Sequence, residues 1–237
     1  MRAVNSVLIV LLACPWPVAA AGMDLTPYSA RYEVRRSGFK AERTVQLRRG
    51  DGSGEYLYES RNKAKGALSV LVSREAVETG RFLVTDSGLK PLRYQFEDGT
   101  KGSEDDIDIV FDWSANTATV DYENETTELA VEPGTLDPIT VQLVIGSDIE
   151  AGVSDPKHSV VEKNRLRTFI YRKLGAETIT TKAGEFETLQ YEVTKEGSRR
   201  STVSWVAPAL QYLPVRIHRL KDGKADTTME LVEFDGF

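Results

Sequence analysis

Residues 28–35 read YSARYEVR, and apolar and polar side chains alternate along this stretch. One face of it would carry Tyr28, Ala30, Tyr32 and Val34. A period of two residues is typical of a strand that covers a core on one face and meets solvent on the other. The same period recurs over much of the chain, for example in residues 44–48 and 106–113. The sequence therefore predicts a mostly β protein.

Turn-forming sequences separate the alternating stretches at intervals that suit hairpins. They include Ser37-Gly38, Asp86-Ser87-Gly88, Asp98-Gly99 and Asp222-Gly223. Glycine and aspartate favour tight turns, and two strands joined by a tight turn are antiparallel neighbours. The sequence does not alternate strands with long helices, which disfavours a parallel doubly wound sheet.

One helix is predicted, over residues 138–145. Asp137 is suited to cap this helix, Pro138 to its first turn, and Gly146 to its end. Its apolar residues occur nearly all round, so we expect the helix to be buried against the sheet. From Asn164 onward, apolar residues occur on both faces of the predicted strands. The predicted fold is a curved antiparallel sheet, an open or half-closed β-barrel, with one short buried helix.

The first residues predict an export signal. Arg2 is the positive residue, residues 7–12 are the apolar stretch, and small residues up to Ala21 form a cleavage site. We therefore expect residues 1–21 to be a cleaved signal peptide and residues 22–237 to be one β domain in the periplasm. The apolar stretch is too short to cross a bilayer, so we do not expect a membrane-spanning protein.

The same segment has a second interpretation. Leu12-Ala13-Cys14 resembles the end of a lipobox, which would make the protein a lipoprotein anchored through Cys14. Pro15 directly after the cysteine and the alanine-rich site downstream favour cleavage near Ala21 instead. That cleavage would remove the only cysteine of the chain, and with it disulfides, thiolate nucleophiles and cysteine metal ligands.

Short patterns that resemble catalytic motifs have a structural explanation. Ser154 and Lys157 have the Ser-x-x-Lys spacing, but Pro156 between them indicates a loop. Tyr191 and Lys195 have the Tyr-x-x-x-Lys spacing, but their segment alternates like a strand and would hold the two side chains too far apart. We therefore predict that the protein is not an enzyme, although a glycosidase site made only of carboxylates stays open.

Neither a metal site nor a cofactor site is predicted. The acidic residues at 104–108 would diverge toward solvent from a strand, whereas Ca²⁺ needs six to eight converging ligands. His158 and His218 are far apart in sequence and have no nearby partner of the kind that zinc requires. The formal net charge of −6, with both signs interspersed, disfavours nucleic acid as a partner.

The C-terminal part carries a resemblance to a known family. Residues 205–217 read WVAPALQYLPVRI and are followed by Asp222-Gly223-Lys224. This run, the opening strand at 28–34 and the turn at 181–186 resemble the signature of the domain of unknown function 3108 family. The resemblance covers essentially the whole mature chain and implies no activity or catalytic residues. A weaker similarity to the periplasmic lipoprotein carriers implies a half-open barrel that holds acyl chains.

Two functions stay open at this point. The first is a binding or carrier module with an apolar groove for a lipid or acyl chain. The alternative is a structural or interaction scaffold with a fully packed core, whose partner would be another envelope protein. A cavity lined by apolar side chains would favour the first function, and a solid core the second.

The predicted ligand-binding residues are Leu68, Val70, Leu71 and Trp205. The first three belong to a short apolar run at 67–72 that does not alternate, and we expect this run to form the lip of an apolar cleft beside the helix. Trp205 would either line that cleft or pack in the core, as most buried tryptophans do.

Overall fold

The computed structural model describes residues 25–66, 74–100 and 102–236. These residues form one antiparallel sheet of fourteen strands. Its strands are β1 Tyr28–Arg36, β2 Phe39–Arg49, β3 Glu55–Lys65, β4 Ala76–Thr85, β5 Gly88–Glu97, β6 Ile107–Asp112, β7 Thr117–Tyr122, β8 Glu125–Ala130, β9 Lys157–Glu162, β10 Arg165–Thr181, β11 Gly184–Lys195, β12 Arg200–Ala207, β13 Leu213–Lys221 and β14 Lys224–Asp235. The predicted mostly β fold is confirmed. The predicted signal peptide at 1–21, including Cys14, lies outside the described residues.

The sheet consists of two meanders. Strands β1 to β8 follow one another across one half, and β9 to β14 follow one another across the other half. The meanders join where β1 pairs with β14, with Ala30 opposite Phe234. The sheet does not close on itself, because β8 and β9 form its two edges.

Tight turns set the register of the hairpins, as the sequence predicts. Ser37 and Gly38 between β1 and β2 both have positive φ angles, 47° and 83°. Asp222 and Gly223 between β13 and β14 do the same, with φ of 50° and 75°. Two successive residues with positive φ form the type I′ turn, whose twist matches that of paired strands.

One face of the sheet packs against a helical segment that connects β8 to β9. A Cβ atom at Gly80 would lie 2.8 Å from Cδ1 of Ile139 in this segment. The Tyr171 hydroxyl donates a hydrogen bond to the carbonyl oxygen of Val141 at 2.5 Å. Two residues that lie opposite each other on neighbouring strands project to the same face of the sheet. We call the face that carries Gly80 and Tyr171, and the residues that pair in register with them, the inner face.

The helical segment contains α1 (Thr140–Leu143) and α2 (Ile145–Glu150). The sequence predicted its position but placed its end wrongly at Gly146, which lies inside α2. A Cβ atom at Gly146 would lie 2.9 Å from Cδ2 of Tyr212, so glycine allows a close approach there and does not end the helix. Neither helix of the described chain has the length and apolar character needed to cross a bilayer.

Hydrogen bonds hold the two edges of the curved sheet near each other. Leu136, just before the helical segment, forms two backbone hydrogen bonds of 2.9 Å to β9, through Ser159 and Val161. In the turn after β9, Lys163 Nζ donates to the Tyr122 hydroxyl of β7 at 2.5 Å. The sheet is therefore a half-closed barrel, with the segment between β8 and β9 lying at its gap.

Candidate ligand-binding site

The inner face is packed solidly at one end of the barrel and accessible at the other. At the packed end, where β1 begins, Leu47, Phe82 and Val215 are at most 1% exposed. At the opposite end, where β1 ends, several inner-facing apolar residues are only partly buried. They are Val34, Phe96, Ile107, Val193, Ile217 and Met229. We call this second end the open end.

A buried ion pair lies on the inner face between the two ends. Arg43 Nη2 lies 2.8 Å from Glu78 Oε2, and the two side chains are 13% and 12% exposed. The Ser60 hydroxyl donates to Glu78 Oε2 at 3.3 Å, and the Tyr94 hydroxyl donates to Glu78 Oε1 at 3.1 Å. Three donors therefore satisfy the Glu78 carboxylate, as a buried charge requires.

The surroundings of this ion pair shift the pKa of two neighbouring groups. Burial by itself lowers the pKa of Arg43, but Tyr58 and Glu78 outweigh it and hold the pKa above its ordinary value. Burial, together with the charge of Glu78, raises the pKa of Tyr94. At neutral pH, Arg43 is therefore charged and the Tyr94 hydroxyl keeps its proton.

Asp137 organises the start of the helical segment and is fully buried. Its Oδ1 accepts hydrogen bonds from the amides of Ile139 and Thr140, at 2.8 and 2.7 Å. These bonds satisfy amides that have no partner within a helix, as the sequence predicts for this residue. Among the described residues its Oδ2 finds no hydrogen-bond partner. Burial raises the pKa of the Asp137 carboxyl to about 6.

His158 has a partner that the sequence did not reveal. Its Nε2 lies 2.7 Å from Oδ2 of Asp148, so the pair joins β9 to α2. The two residues are ten positions apart, and only the folded chain brings them together. Within the described ranges, no group of three histidine, cysteine, aspartate or glutamate side chains is arranged to hold a metal ion.

Residues that resemble a catalytic motif or a metal site in sequence make structural contacts in the fold. Tyr191 is buried in β11, and Lys195 at the end of that strand forms an ion pair with Glu162. In the acidic stretch at 104–108, Asp108 pairs with Arg93 at 2.5 Å. These contacts give the side chains a role in packing and charge neutralisation.

Two arginines lie on the inner face at the open end. Arg219 of β13 and Arg36 of β1 both pair in register with Thr227 of β14, from its two sides. Burial and the nearby charge of Arg43 lower the pKa of Arg219. The Arg219 residue is nevertheless exposed, so water reaches this end of the inner face.

The predicted binding residues Leu68, Val70 and Leu71 lie outside the described residues. The strands on either side of them are described: β3 ends at Lys65 and β4 begins at Ala76. Both of these strand termini are at the open end. The predicted lip therefore lies, in sequence, between β3 and β4, and the adjoining ends of both strands are at the open end.

Trp205 projects to the outer face of the sheet. Its cross-strand partner is Arg216, which alternates along β13 with the inner-facing Val215 and Ile217. Because neighbouring residues of a strand point to opposite faces, Trp205 and Arg216 lie on the side away from the helical segment. Trp205 does not line the inner face at either end.

The hairpin of β10 and β11 folds over this part of the outer face. Trp205 Nε1 donates to Oε1 of Glu177 in β10 at 2.5 Å. At the tip of the hairpin, Lys182 Nζ lies 2.8 Å from Oε2 of Glu33 in β1. Trp205 is 7% exposed beneath the hairpin. This position favours the packing role for Trp205 over the ligand-binding role.

Two depressions on the described surface are shallow and mainly polar. One is lined by Ser159, Arg165, Leu166, Arg167, Thr168, Glu196 and Gly197. The other lies on the outer face and is lined by Glu33, Arg35, His218, Thr228 and Glu230. Neither depression is the apolar cleft that the sequence predicts beside the helix.

Comparison with known proteins identifies a family and a fold. The family model described as "Protein of unknown function (DUF3108)" matches residues 27–232. A β-barrel-like protein of the domain of unknown function DUF1849 from Brucella abortus has a similar structure, with a TM-score of 0.59 and 10% sequence identity. The match covers 91% of this chain and 99% of that chain. No curated protein matches the sequence.

Other solved structures are more distant. The MucA/MucB complex of Pseudomonas aeruginosa matches with a TM-score of 0.39 and 10% identity, over 89% of this chain and 52% of that chain. A Bacteroides fragilis protein described as exported, with a YmcC-like fold, matches with a TM-score of 0.38 and 10% identity, over 88% and 95%. At such distances these two matches carry no argument about function.

Proposed function

Because the chain belongs to the DUF3108 family, whose description assigns no activity, we propose from its geometry that it is a non-enzymatic binding or carrier module. Its ligand is an apolar chain, such as the acyl chain of a lipid. The chain enters the half-closed barrel at the open end and lies against the inner face.

The contrast between the two ends of the inner face supports this proposal. The same face and the same alternation continue along each strand, yet the apolar side chains are buried at one end and partly exposed at the other. The partly exposed apolar positions of the open end lie on six strands, of which β1, β14 and β13 are adjacent to one another and β5 is adjacent to β6. An accessible apolar surface with polar residues at its rim is typical of a ligand-binding site.

The helical segment supplies a fixed floor for such a site. Ile139 packs onto Gly80, Val141 accepts the hydrogen bond of Tyr171, and Asp148 pairs with His158. These contacts join the segment to strands β4, β9 and β10. In this proposal the ligand lies on the other side of the segment, toward the open end.

The energy of burial is sufficient for useful affinity. Each methylene group that leaves water contributes about 0.8 kcal/mol. A partly enclosed acyl chain would therefore bind without any polar contact. In this proposal Leu68, Val70 and Leu71 extend the apolar surface at the rim, and Trp205 stabilises the outer face.

The proposed location is the periplasm, with cleavage of a signal peptide near Ala21. This part of the proposal rests on the sequence of residues 1–21, because those residues lie outside the described structure. Attachment of a lipid to Cys14 is the alternative, and the intact mass of the protein extracted from the cell envelope distinguishes the two.

Native mass spectrometry of the full chain, produced with its own export signal, tests the proposal. We expect the exported protein to carry a bound lipid, or to take up a long-chain fatty acid after lipid removal. Replacing Ile217 with aspartate should lower the bound fraction about tenfold or more, because it places a charge on the apolar inner face. The outer-face Val110→Asp variant is the control, since Val110 is already 45% exposed.

The wild-type result decides the proposal even if the Ile217→Asp variant does not fold. An Ile217→Trp variant fills space without adding charge. Its bound fraction of lipid gives a second measurement of binding at this site. Wild-type protein that carries no lipid and takes up no fatty acid would remove the carrier function.

One observation supports the scaffold function as a second candidate. Among the described strands, β8 pairs with β7 alone and is one edge of the sheet. A free strand edge offers backbone donors and acceptors to an added strand of a partner protein. In that case the ligand would be an extended segment of another envelope protein, and the mass spectrometry experiment would find no lipid.

A further inference from the structure

The rim of the open end has a positive row of side chains above an apolar row. Arg219, Thr227 and Arg36 are cross-strand partners on β13, β14 and β1. Two residues farther into the barrel, Ile217, Met229 and Val34 are cross-strand partners on the same three strands. Both rows project to the inner face, because residues two apart in a strand share a face.

The two arginines at the rim differ from Arg43 in their partners. Arg43, deeper in the barrel, has its carboxylate partner in Glu78 at 2.8 Å. Glu78 and Asp226 act electrostatically on Arg219, but no carboxylate of the described residues lies within 4 Å of the guanidinium groups of Arg219 or Arg36. Both side chains are therefore available to an external anion.

We propose that Arg36 and Arg219 bind the anionic head group of an amphiphile whose chain lies on the inner face below them. This inference rests on the proposed function and adds a specificity to it. The head group is a carboxylate or a phosphate, because a guanidinium group matches both through paired N–H donors. The Thr227 hydroxyl lies between the two arginines in register and offers a further donor.

The geometry supports this assignment in two ways. First, adjacent strands are about 4.8 Å apart, so Arg36 and Arg219 start about 10 Å apart across Thr227, a span that two long side chains can close around one anion. Second, the apolar row begins at the next inner-facing position below each arginine. A ligand with a charged head and an apolar tail matches this order from the rim inward.

Binding of three ligands with the same chain tests the inference. Hexadecanoate, hexadecyl phosphate and hexadecan-1-ol are each used to displace a neutral fluorescent acyl probe from the delipidated full-length protein. We expect at least one of the two anions to bind about tenfold more tightly than the alcohol, as one added charge-assisted contact allows. The preferred anion then distinguishes a fatty acid from a phospholipid-like ligand.

The double variant Arg36→Gln/Arg219→Gln isolates the head-group contact. It should lose the preference for the anion while its affinity for hexadecan-1-ol stays unchanged. Arg48→Gln is the matched control, because Arg48 is an exposed arginine that alternates with the inner-facing Leu47 and so lies on the outer face.

The outcomes separate this inference from the proposed function. If wild-type protein binds all three ligands equally, or the double variant keeps the preference, the head-group assignment is wrong and the acyl-binding function stands. If the wild type binds none of the three ligands, both proposals fail.

Discussion

Replacing Glu78 with glutamine is expected to lower the free energy of unfolding by about 3 to 5 kcal/mol, because it leaves the buried Arg43 charge without a counter-charge. Glu78 and Arg43 are both nearly inaccessible to solvent, 2.8 Å apart, on the inner face of the barrel. The loss of an anion in such a place costs far more than the loss of a surface contact. Urea unfolding at neutral pH, followed by circular dichroism, measures the change.

A surface pair provides the control. Glu59→Gln removes the carboxylate that lies 2.7 Å from Arg61, where the two side chains are 34% and 47% exposed. Exposed pairs contribute about 0 to 1 kcal/mol, so this variant should be close to wild type. A Glu78→Gln variant that is as stable as Glu59→Gln would show that water reaches the Arg43–Glu78 pair.

Replacing Asp137 with asparagine is expected to remove a decrease in stability that occurs between pH 5 and pH 7. Burial raises the pKa of the folded carboxyl to about 6 from an ordinary value of 3.8. A raised acid pKa favours the folded state at low pH, and this contribution is lost as the pH rises through 6. Linkage gives a loss of about 1 to 1.5 kcal/mol over this interval for the wild type.

Asparagine keeps a side-chain oxygen that can accept hydrogen bonds from the amides of Ile139 and Thr140, but the asparagine side chain does not titrate. Urea unfolding at pH 5, 6 and 7 should therefore give a flatter profile for Asp137→Asn than for the wild type. Asp86→Asn, in an exposed turn, controls for a general effect of removing one negative charge. If Asp137→Asn kept the wild-type pH profile, the decrease in the free energy of unfolding between pH 5 and pH 7 would come from other titrating groups.

The strands and their faces could be predicted from the sequence, because burial of one face imposes a period of two. This holds for β1, where Ala30 and Tyr32 are buried as predicted. The glycine turns at Ser37-Gly38 and Asp222-Gly223 were also predicted, whereas the turn at Gly197 was not. The turn at Glu123 and Asn124 was missed, because both residues adopt positive φ without glycine, and the energy for this comes from the pairing of β7 with β8.

Pairings between distant parts of the chain could not be predicted. Alternation tells which residues share a face but not which strand lies beside which, so the pairing of β1 with β14 left no local signal. The same is true of the Arg43–Glu78 pair, whose members are 35 residues apart. The helical segment was found from its cap and its apolar residues, although its end was not.

The C-terminal strands illustrate what the pattern could and could not reveal. Apolar residues on both faces predicted either a second cover or a groove. The structure has a second cover, since the long hairpin that begins with β10 folds over Trp205 on the outer face. The pairing of β10 with β11 also contains a register shift between Lys173 and Gly175, which strand alternation does not encode.

The most direct test of the central claim is to locate a bound acyl chain by photo-crosslinking. A hexadecanoate that carries a diazirine near its methyl end is bound to the full-length protein, irradiated, and mapped by peptide mass spectrometry. The account predicts adducts on inner-facing residues of the open end, such as Phe96, Ile107 and Met229, and their loss when unlabelled hexadecanoate competes. Adducts confined to the outer face around Trp205, or labelling that a competitor does not reduce, would contradict it.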